Sequence, residues 1–252
     1  MPAFEAAVAL GYRYLETDVH LSGDGTLVAF HDDGLDRVTD SRGKISHLSM
    51  AQIREADAGH WFTRDHGETY PYRGKGVQVP TLEELLVRWR HVRINVDPKE
   101  DVAIGPLAAL LHRLEAIDRV CVGSFSDRRL IRIRGLTRGR VCTSMGRNGV
   151  SMAWLSSRVG RMARLDADCL QVPLRWGDFR LVDSRFLAAA HRADLPVHVW
   201  TVDDEATINE LLDLGVDGIM TDQPQTLRRV LIERGQWHEV SRTNSATAQA
   251  GR

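Results

Sequence analysis

The amino-acid sequence predicts an α/β fold, a TIM-type (β/α)8 barrel from which one strand is missing. Short apolar runs alternate with helix-like runs along most of the 252 residues, and this alternation is typical of a parallel sheet. Seven such units follow one another, which suits a barrel better than an open doubly wound sheet. No glycine-rich nucleotide-binding loop follows a predicted strand, although an open sheet of that kind often has one.

The individual elements follow from apolar periodicity and from residues that begin or end helices. The chain opens on a helix at 3–10, followed by strand 14–20 and, after a Gly-rich turn, strand 27–30. Thr81 with Glu84 has the spacing of a capping box and predicts a helix at 81–90. The other strands are predicted at 93–97, 119–124, 140–144, 168–172, 196–202 and 217–221. The other helices are predicted at 104–115, 126–135, 151–164, 184–193, 204–214 and 224–234.

The parallel strands number seven, whereas a closed barrel of this type has eight, so the missing strand is expected before the first helix. Residues 41–79 are too long for an ordinary connection and predict an inserted lobe over the barrel mouth. That lobe either shapes substrate access or merely elaborates the surface. Residues 236–252 are small and polar and predict a disordered tail, which leaves residues 1–235 for the barrel domain.

Composition excludes several classes of function. The formal net charge is −1, so no overall field favours nucleic acid or an anionic membrane surface. No apolar run reaches the roughly 20 residues of a membrane span, and no signal peptide is recognisable, so we expect no stable membrane anchor. Cys121, Cys142 and Cys169 form no CxxC pair, and buried reduced thiols in a cytoplasmic protein are the expected interpretation.

Glu16 and Asp18 are the first candidate site residues. They lie two residues apart on the first strand, and alternate residues of a strand point to the same face. Adjacent carboxylates repel, so a cation between them would favour their ionised forms, and oxygen ligands suit Mg²⁺ or Ca²⁺. His31 follows the next strand and could move a proton beside that cation. The alternative is one exposed acid, one buried acid and a histidine in a turn.

Further polar or aromatic residues end other predicted strands, where barrel enzymes carry their functional groups. Asp97 and Lys99 follow the strand at 93–97 and, taken alone, would be interpreted as a salt bridge. Trp200 lies at the end of the strand at 196–202. His198 on the same face either lines the pocket or, as the preferred interpretation, is a hydrogen-bonded histidine inside the barrel. Asp222 is expected to cap the following helix, ahead of Pro224.

Several motifs together resemble the glycerophosphodiester phosphodiesterase family. They are, in chain order, Leu15-Glu16-Thr17-Asp18-Val19, Asp24-Gly25, His31-Asp32, Pro80-Thr81-Leu82-Glu83-Glu84, Asn95-Val96-Asp97-Pro98-Lys99, Ser124-Phe125, Val199-Trp200-Thr201-Val202-Asp203 and Gly215-Val216-Asp217-Gly218-Ile219-Met220-Thr221-Asp222-Gln223-Pro224. The resemblance implies a (β/α)8 barrel that hydrolyses glycerophosphodiesters, such as glycerophosphocholine, to sn-glycerol 3-phosphate and an alcohol. It also implies a divalent cation, Mg²⁺ or Ca²⁺, as cofactor.

The resemblance assigns roles residue by residue. It implies that Glu16, Asp18 and Asp97 are metal ligands, although family members often carry Glu at the position of Asp97. Lys99 matches a lysine near the phosphate, and Trp200 matches an aromatic residue at the glycerol end of the site. His31 matches one of two catalytic histidines.

This chain lacks the opening strand with His-Arg-Gly and the Glu-Asn-Thr that family members carry, because Met1 aligns just after them. One hypothesis is that the working protein has roughly 25–35 more residues, the length of one strand and its loop. A second is an inactive truncated pseudo-enzyme or a binding protein.

Two other activities remain as alternatives. A lysophospholipase D-like activity would need an apolar groove, which Trp61, Phe62, Tyr70 and Tyr72 of the lobe could supply. A metal-dependent barrel lyase or aldolase would need a nucleophilic lysine. The acidic neighbours of Lys99 favour its protonated form instead.

Overall fold

The computed structural model describes residues 1–160, 162 and 166–238, in which helices and strands alternate. The strands are β1 (Tyr14–Leu21), β2 (Leu27–Ala29), β3 (Arg93–Pro98), β4 (Val120–Val122), β5 (Cys142–Thr143), β6 (Leu170–Pro173), β7 (Arg175–Trp176), β8 (Phe179–Arg180), β9 (Val197–Trp200) and β10 (Gly218–Ile219). The helices are α1 (Pro2–Ala9), α2 (Met50–Glu55), α3 (Leu82–Arg88), α4 (Ile104–Arg113), α5 (Asp127–Thr137), α6 (Arg147–Ser157), α7 (Ser184–His191), α8 (Glu205–Leu214) and α9 (Pro224–Glu233). Short 3₁₀ turns occur at Ile45–His47, Asp101–Ala103 and Ile117–Arg119.

Among the described residues, seven parallel strands form the framework, in the order β1-β3-β4-β5 and β6-β9-β10. A parallel bridge between Ser144 and Cys169 joins the two groups next to β5 and β6. Strand β2 pairs antiparallel with the end of β1, and β7 with β8 forms a separate hairpin. The seven parallel strands match the number that the sequence predicts, and their order follows the chain as it does in a (β/α) barrel.

Strands β1 and β10 are the two ends of this parallel series, and within the described residues they do not pair with each other. The flanking helices nevertheless meet there. The Tyr12 hydroxyl donates to the Pro224 carbonyl at 2.7 Å, and Arg228 Nε donates to the Leu10 carbonyl at 2.9 Å. All seven parallel strands line a cavity of about 2080 Å³. The interior of the curved sheet is therefore hollow at the level of the strands.

The apolar core lies between the strands and the surrounding helices. One cluster packs β1, β3 and β4 against α3, α4 and α5, and a second packs β6 and β9 against α7, α8 and α9. A third cluster includes Ile45, Ile53 and Val79 together with Val28 and Leu35, so the lobe at 41–79 packs around a small core that it shares with β2 and the segment after it. Thr81 and Glu84 form the predicted capping box of α3.

Some boundaries differ from the prediction. Helix α6 begins at Arg147 rather than residue 151, and of the predicted span 151–164, residues 161, 163 and 164 lie outside the described residues. Of the predicted tail, residues 239–252 also lie outside them. Trp237, just before that point, packs edge-to-face on Tyr12 with ring centroids 5.1 Å apart. Within the described ranges, no helix is long and apolar enough to cross a membrane.

Candidate active site

The carboxyl ends of β1 and β3 bring three of the predicted site residues into direct contact. Asp18 and Asp97 are register partners on these two neighbouring strands. The Lys99 ammonium lies 2.6 Å from Asp18 Oδ1 and donates to Asp97 Oδ2 at 2.9 Å. The contact arises because β1 and β3 run parallel, so that residues following the two strands reach the same edge of the sheet.

Glu16 lies two residues before Asp18 on β1 and faces the cavity. Its carboxylate accepts no hydrogen bond from any of the described residues. Protein atoms surround most of this group although solvent reaches it through the cavity. Burial, then the neighbouring carboxylates of Asp18 and Asp97, raise the pKa of Glu16 from 4.5 to about 7. Burial raises the pKa of Asp97 as well, against the opposing effect of Lys99.

His31 lies at the mouth of the cavity, and its side chain is 78% exposed. The Nδ1 atom lies 2.6 Å from Asp32 Oδ1, and the Nε2 atom lies 3.8 Å from Asp18 Oδ2. Arg37 holds Asp32 with two hydrogen bonds, from Nε at 2.6 Å and Nη2 at 2.9 Å. These bonds lower the pKa of Asp32 to about 2. An ionised Asp32 therefore orients the imidazole so that Nε2 faces the carboxylates.

His20 is a residue of this region that the sequence did not single out. It is buried, and its Nδ1 lies 2.6 Å from Glu100 Oε1. Its Nε2 lies 3.2 Å from the carbonyl oxygen of His31. The pair with Glu100 raises the pKa of His20 despite burial. His20 thus ties the segment of His31 to the loop after β3. His20 lies two residues after Asp18 on β1, the same spacing that separates Glu16 from Asp18, so strand alternation is the signal in the sequence that could have found it.

Trp200 ends β9 and lines the same cavity, half-buried. Phe125, from the loop between β4 and α5, contacts it edge-to-face with centroids 5.6 Å apart. The two rings form an apolar wall beside the polar groups. Phe125 is 55% exposed and lines the cavity, so a bound molecule can reach its ring. The position of Trp200 agrees with the predicted one, at the end of a strand and facing the cavity.

Two residues behave differently from the prediction. Asp222 does not cap α9, because the N-cap of that helix is Gln223 and makes no side-chain capping bond. Asp222 instead lines the cavity and adds negative charge near Glu16. His198 lines the cavity as well, but it makes no hydrogen bond to a described residue. The preferred expectation of a hydrogen-bonded histidine was therefore wrong, and the alternative, that His198 lines the pocket, is what the structure has.

The donor set fits a hard divalent cation in chemistry and in charge. The carboxylates of Asp18, Asp97 and Asp222 act on Glu16 together with the ammonium of Lys99, so this group carries more negative than positive charge. This excess of negative charge and the all-oxygen ligands suit Mg²⁺ or Ca²⁺. Lys99 lies between Asp18 and Asp97, so these acids already share one cation. Within the described residues, the oxygens of Glu16, Asp18 and Asp97 do not all approach one another within 4.8 Å.

The lobe borders the cavity on one side. Its Phe62 and Tyr72 line the cavity and contact each other edge-to-face at 5.2 Å. Trp61 and Tyr70 pack with Arg73, whose guanidinium lies 5.0 Å and 3.7 Å from the two ring centroids. The aromatic residues that the sequence grouped together therefore divide into a pair at the cavity and a pair that stacks within the lobe.

Comparison with known proteins gives a consistent result. The model of the "Glycerophosphoryl diester phosphodiesterase family" matches residues 1–226. A probable glycerophosphodiester phosphodiesterase 2 of Mycobacterium tuberculosis is 38% identical over 244 residues, which cover 94% of this chain and 86% of that protein. A glycerophosphodiester phosphodiesterase of Bacillus subtilis is 28% identical over 90% of this chain and 80% of its own length.

Solved structures agree on the fold. A phosphodiesterase from Oleispira antarctica, in complex with the product sn-glycerol-3-phosphate, has a TM-score of 0.73 and 25% identity, over 91% of this chain and 89% of that chain. A glycerophosphoryl diester phosphodiesterase domain from Mycobacterium tuberculosis has a TM-score of 0.78 at 17% identity, over 90% and 91% of the two chains. The predicted fold class is confirmed.

Proposed function

This chain belongs to the glycerophosphoryl diester phosphodiesterase family, and we propose that it hydrolyses glycerophosphodiesters to sn-glycerol 3-phosphate and an alcohol with the help of a divalent cation. The observation that carries this proposal is the convergence of Asp18, Asp97, Lys99 and His31 at the carboxyl ends of two adjacent strands. The product of the Oleispira antarctica relative supports the glycerol 3-phosphate end of the reaction.

The cationic side of the site is proposed to bind the phosphodiester anion. Glu16, Asp18 and Asp97 would hold the cation, Mg²⁺ or Ca²⁺, which when bound supplies positive charge to the phosphoryl oxygens. Lys99 adds a second positive charge at the same edge of the sheet and draws the substrate anion to it. Its side chain is 31% exposed, so a ligand in the cavity can reach the ammonium.

His31 is proposed to protonate the leaving alkoxide. Its Nδ1 is held by Asp32, which leaves Nε2 free to donate into the cavity. The Nε2 atom lies 3.8 Å from Asp18 Oδ2, on the side of the strand-end carboxylates. A histidine at the rim also suits a leaving group that departs toward solvent. His20 positions this segment through the His31 carbonyl without reaching the reacting atoms.

The apolar wall of Trp200 and Phe125 is proposed to contact the glycerol carbons. A small polyol offers little apolar surface, so such a wall mainly fixes orientation beside the charged groups. The lobe pair Phe62 and Tyr72 lies at the rim, where it would contact the alcohol part of the substrate. Three free thiols support our proposal that the chain works in a reducing compartment such as the cytoplasm.

The test is product analysis with two substrates. The chain is incubated with glycerophosphocholine or with lysophosphatidylcholine, in Mg²⁺ or Ca²⁺, and released glycerol 3-phosphate, choline and lysophosphatidic acid are quantified. We expect glycerol 3-phosphate and choline from the first substrate. Release of lysophosphatidic acid with no turnover of glycerophosphocholine would overturn the proposed specificity, and turnover of neither would overturn the activity.

Lys99→Met tests the anion-binding role. Removal of one charged donor from such a site costs roughly 10²–10³-fold in rate, and we expect a loss of this size in kcat/KM. Lys44→Met is the matched control, because Lys44 is an exposed lysine of the lobe that pairs with Asp33 at 3.3 Å. An equal effect of the two substitutions would contradict the role of Lys99.

A further inference from the structure

Three cysteines that lie far apart in the sequence meet inside the curved sheet. The Sγ atoms of Cys121, Cys142 and Cys169 all lie within 4.8 Å of one another, and those of Cys121 and Cys169 are 3.8 Å apart. Cys121 and Cys142 are register partners on β4 and β5, and Cys169 immediately precedes β6. All three are free thiols, and all three line the cavity.

We propose that Cys121, Cys142 and Cys169 form a binding site for a soft thiophilic cation such as Zn²⁺ or Cu⁺. Thiolate ligands select such ions over Mg²⁺ and Ca²⁺, which prefer oxygen. In a tetrahedral zinc site with bonds of about 2.3 Å, neighbouring sulfurs are about 3.8 Å apart, which equals the spacing of Cys121 and Cys169.

A disulfide between Cys121 and Cys169 does not fit their positions in the sheet. Cys121 and Cys169 belong to strand positions two strands apart, with β5 between them. At about 4.8 Å per strand, their Cα atoms are roughly 9–10 Å apart, beyond the reach of a disulfide without backbone movement. A metal ion spans this separation through two bonds, and binding of M²⁺ by three thiols would release three protons to solvent.

The surroundings supply polar support. Gln171 Nε2 lies 3.6 Å from Cys121 Sγ and donates to Asn95 Oδ1 at 2.9 Å. Hydrogen bonds from the two neighbouring thiols lower the pKa of Cys142, with a further contribution from the charge of His198. His198 lines the same cavity, but its ring nitrogens are not among the ligand atoms that meet within 4.8 Å, so the three thiols form the proposed ligand set.

The thiol cluster is separate from the carboxylates of the candidate active site. On the sheet, Asn95 of β3 lies between Glu16 of β1 and Cys121 of β4, because each is the register partner of the next. The hydrogen-bonded amides of Asn95 and Gln171 therefore lie on the sulfur side of the carboxylate cluster. One cavity thus holds carboxylate ligands suited to a hard cation and thiol ligands suited to a soft cation.

The test titrates the whole reduced chain with Zn²⁺ and with Cd²⁺. We expect one equivalent of each to bind, and Cd²⁺ to give a sulfur-to-metal charge-transfer band in the ultraviolet. Cys142→Ser should remove the band and weaken Zn²⁺ binding by more than about 100-fold, the upper end of the effect of losing an outer-shell partner. Glu16→Gln is the control, since it alters the oxygen set and should leave the band in place.

X-ray absorption on the zinc-loaded wild-type chain counts the ligands directly, without a variant that could fail to fold. Three sulfur scatterers at about 2.3 Å are expected. A shell of nitrogen and oxygen alone, or a single sulfur, would overturn the proposal. So would a Cd²⁺ band that persists in Cys142→Ser, or the absence of stoichiometric Zn²⁺ binding.

Discussion

Replacing Glu16 by Gln should stabilise the metal-free protein at pH 8. The Glu16 carboxylate accepts no hydrogen bond among the described residues and lies among like charges. Its pKa is raised from 4.5 to about 7 by burial and by Asp18 and Asp97. The folded chain therefore holds a proton that the unfolded chain has already lost. The free energy of unfolding therefore falls as the pH rises from about 4.5 to about 7. Above that range Glu16 is ionised in both states, and the full destabilisation by its charge is present.

The magnitude follows from the size of the pKa change. At about 1.36 kcal/mol per pH unit, the difference between 4.5 and about 7 sets an upper bound of about 3.4 kcal/mol. Solvent in the cavity reaches Glu16 and screens its charge, which reduces the expected gain to about 1–2 kcal/mol. The gain should shrink toward zero near pH 5, where Glu16 is protonated in the folded chain and partly protonated in the unfolded chain.

The assay is urea denaturation in chelator at pH 5 and pH 8. Glu83→Gln is the matched control, because Glu83 is an exposed acid whose pKa is lowered by Arg113, 2.7 Å away. The free energy of unfolding of Glu83→Gln should fall by at most about 1 kcal/mol, a change opposite in sign to the one expected for Glu16→Gln. The reasoning is refuted if Glu16→Gln is no more stable than wild type at pH 8, or if its gain is the same at both pH values.

Three further predictions concern the site and the lobe. His31→Asn should lower kcat for glycerophosphocholine by about 10²–10⁴-fold but affect a nitrophenyl phosphodiester far less, because that leaving group needs no proton; equal losses would contradict the role of His31. Trp200→Ala should raise KM about tenfold, as expected when an aromatic contact of roughly 1–2 kcal/mol is lost, and an unchanged KM would place the glycerol elsewhere. Ile53→Ala, in the fully buried lobe core, should cost about 2–5 kcal/mol in urea denaturation, whereas Val102→Ala, at a side chain 63% exposed, should stay within about 0.5 kcal/mol. Equal effects of the last two would mean that the lobe core does not contribute to stability.

The proximity of the strand-end residues could be predicted from the sequence because it depends on local periodicity and on the parallel order of the strands. Glu16 and Asp18 share a face since they are two residues apart on one strand. Asp97 and Lys99 reach Asp18 because neighbouring parallel strands end at one edge. The positions of the strand ends in the sequence therefore indicate which side chains lie close together in the fold.

Long-range contacts explain what the sequence missed. Helix α6 begins four residues earlier than predicted because Asp127, twenty residues upstream, accepts hydrogen bonds from the backbone N–H groups of Asn148 and Gly149. No residue directly before the helix predicts this cap. The meeting of Cys121 with Cys169 likewise depends on the register of three strands and the curvature of the sheet. Neither the register of the strands nor the curvature of the sheet can be predicted from the spacing of residues along the chain.

The central claim is that Glu16, Asp18 and Asp97 bind a divalent cation on which phosphodiester hydrolysis depends. The most direct measurement is the release of glycerol 3-phosphate from glycerophosphocholine by chelator-treated chain, before and after addition of Mg²⁺ or Ca²⁺. Wild type and Glu83→Gln should be inactive in chelator and recover with cation, while Asp97→Asn should stay at least about 100-fold lower. Full turnover by wild type in chelator, or an Asp97→Asn variant as active as Glu83→Gln, would contradict it.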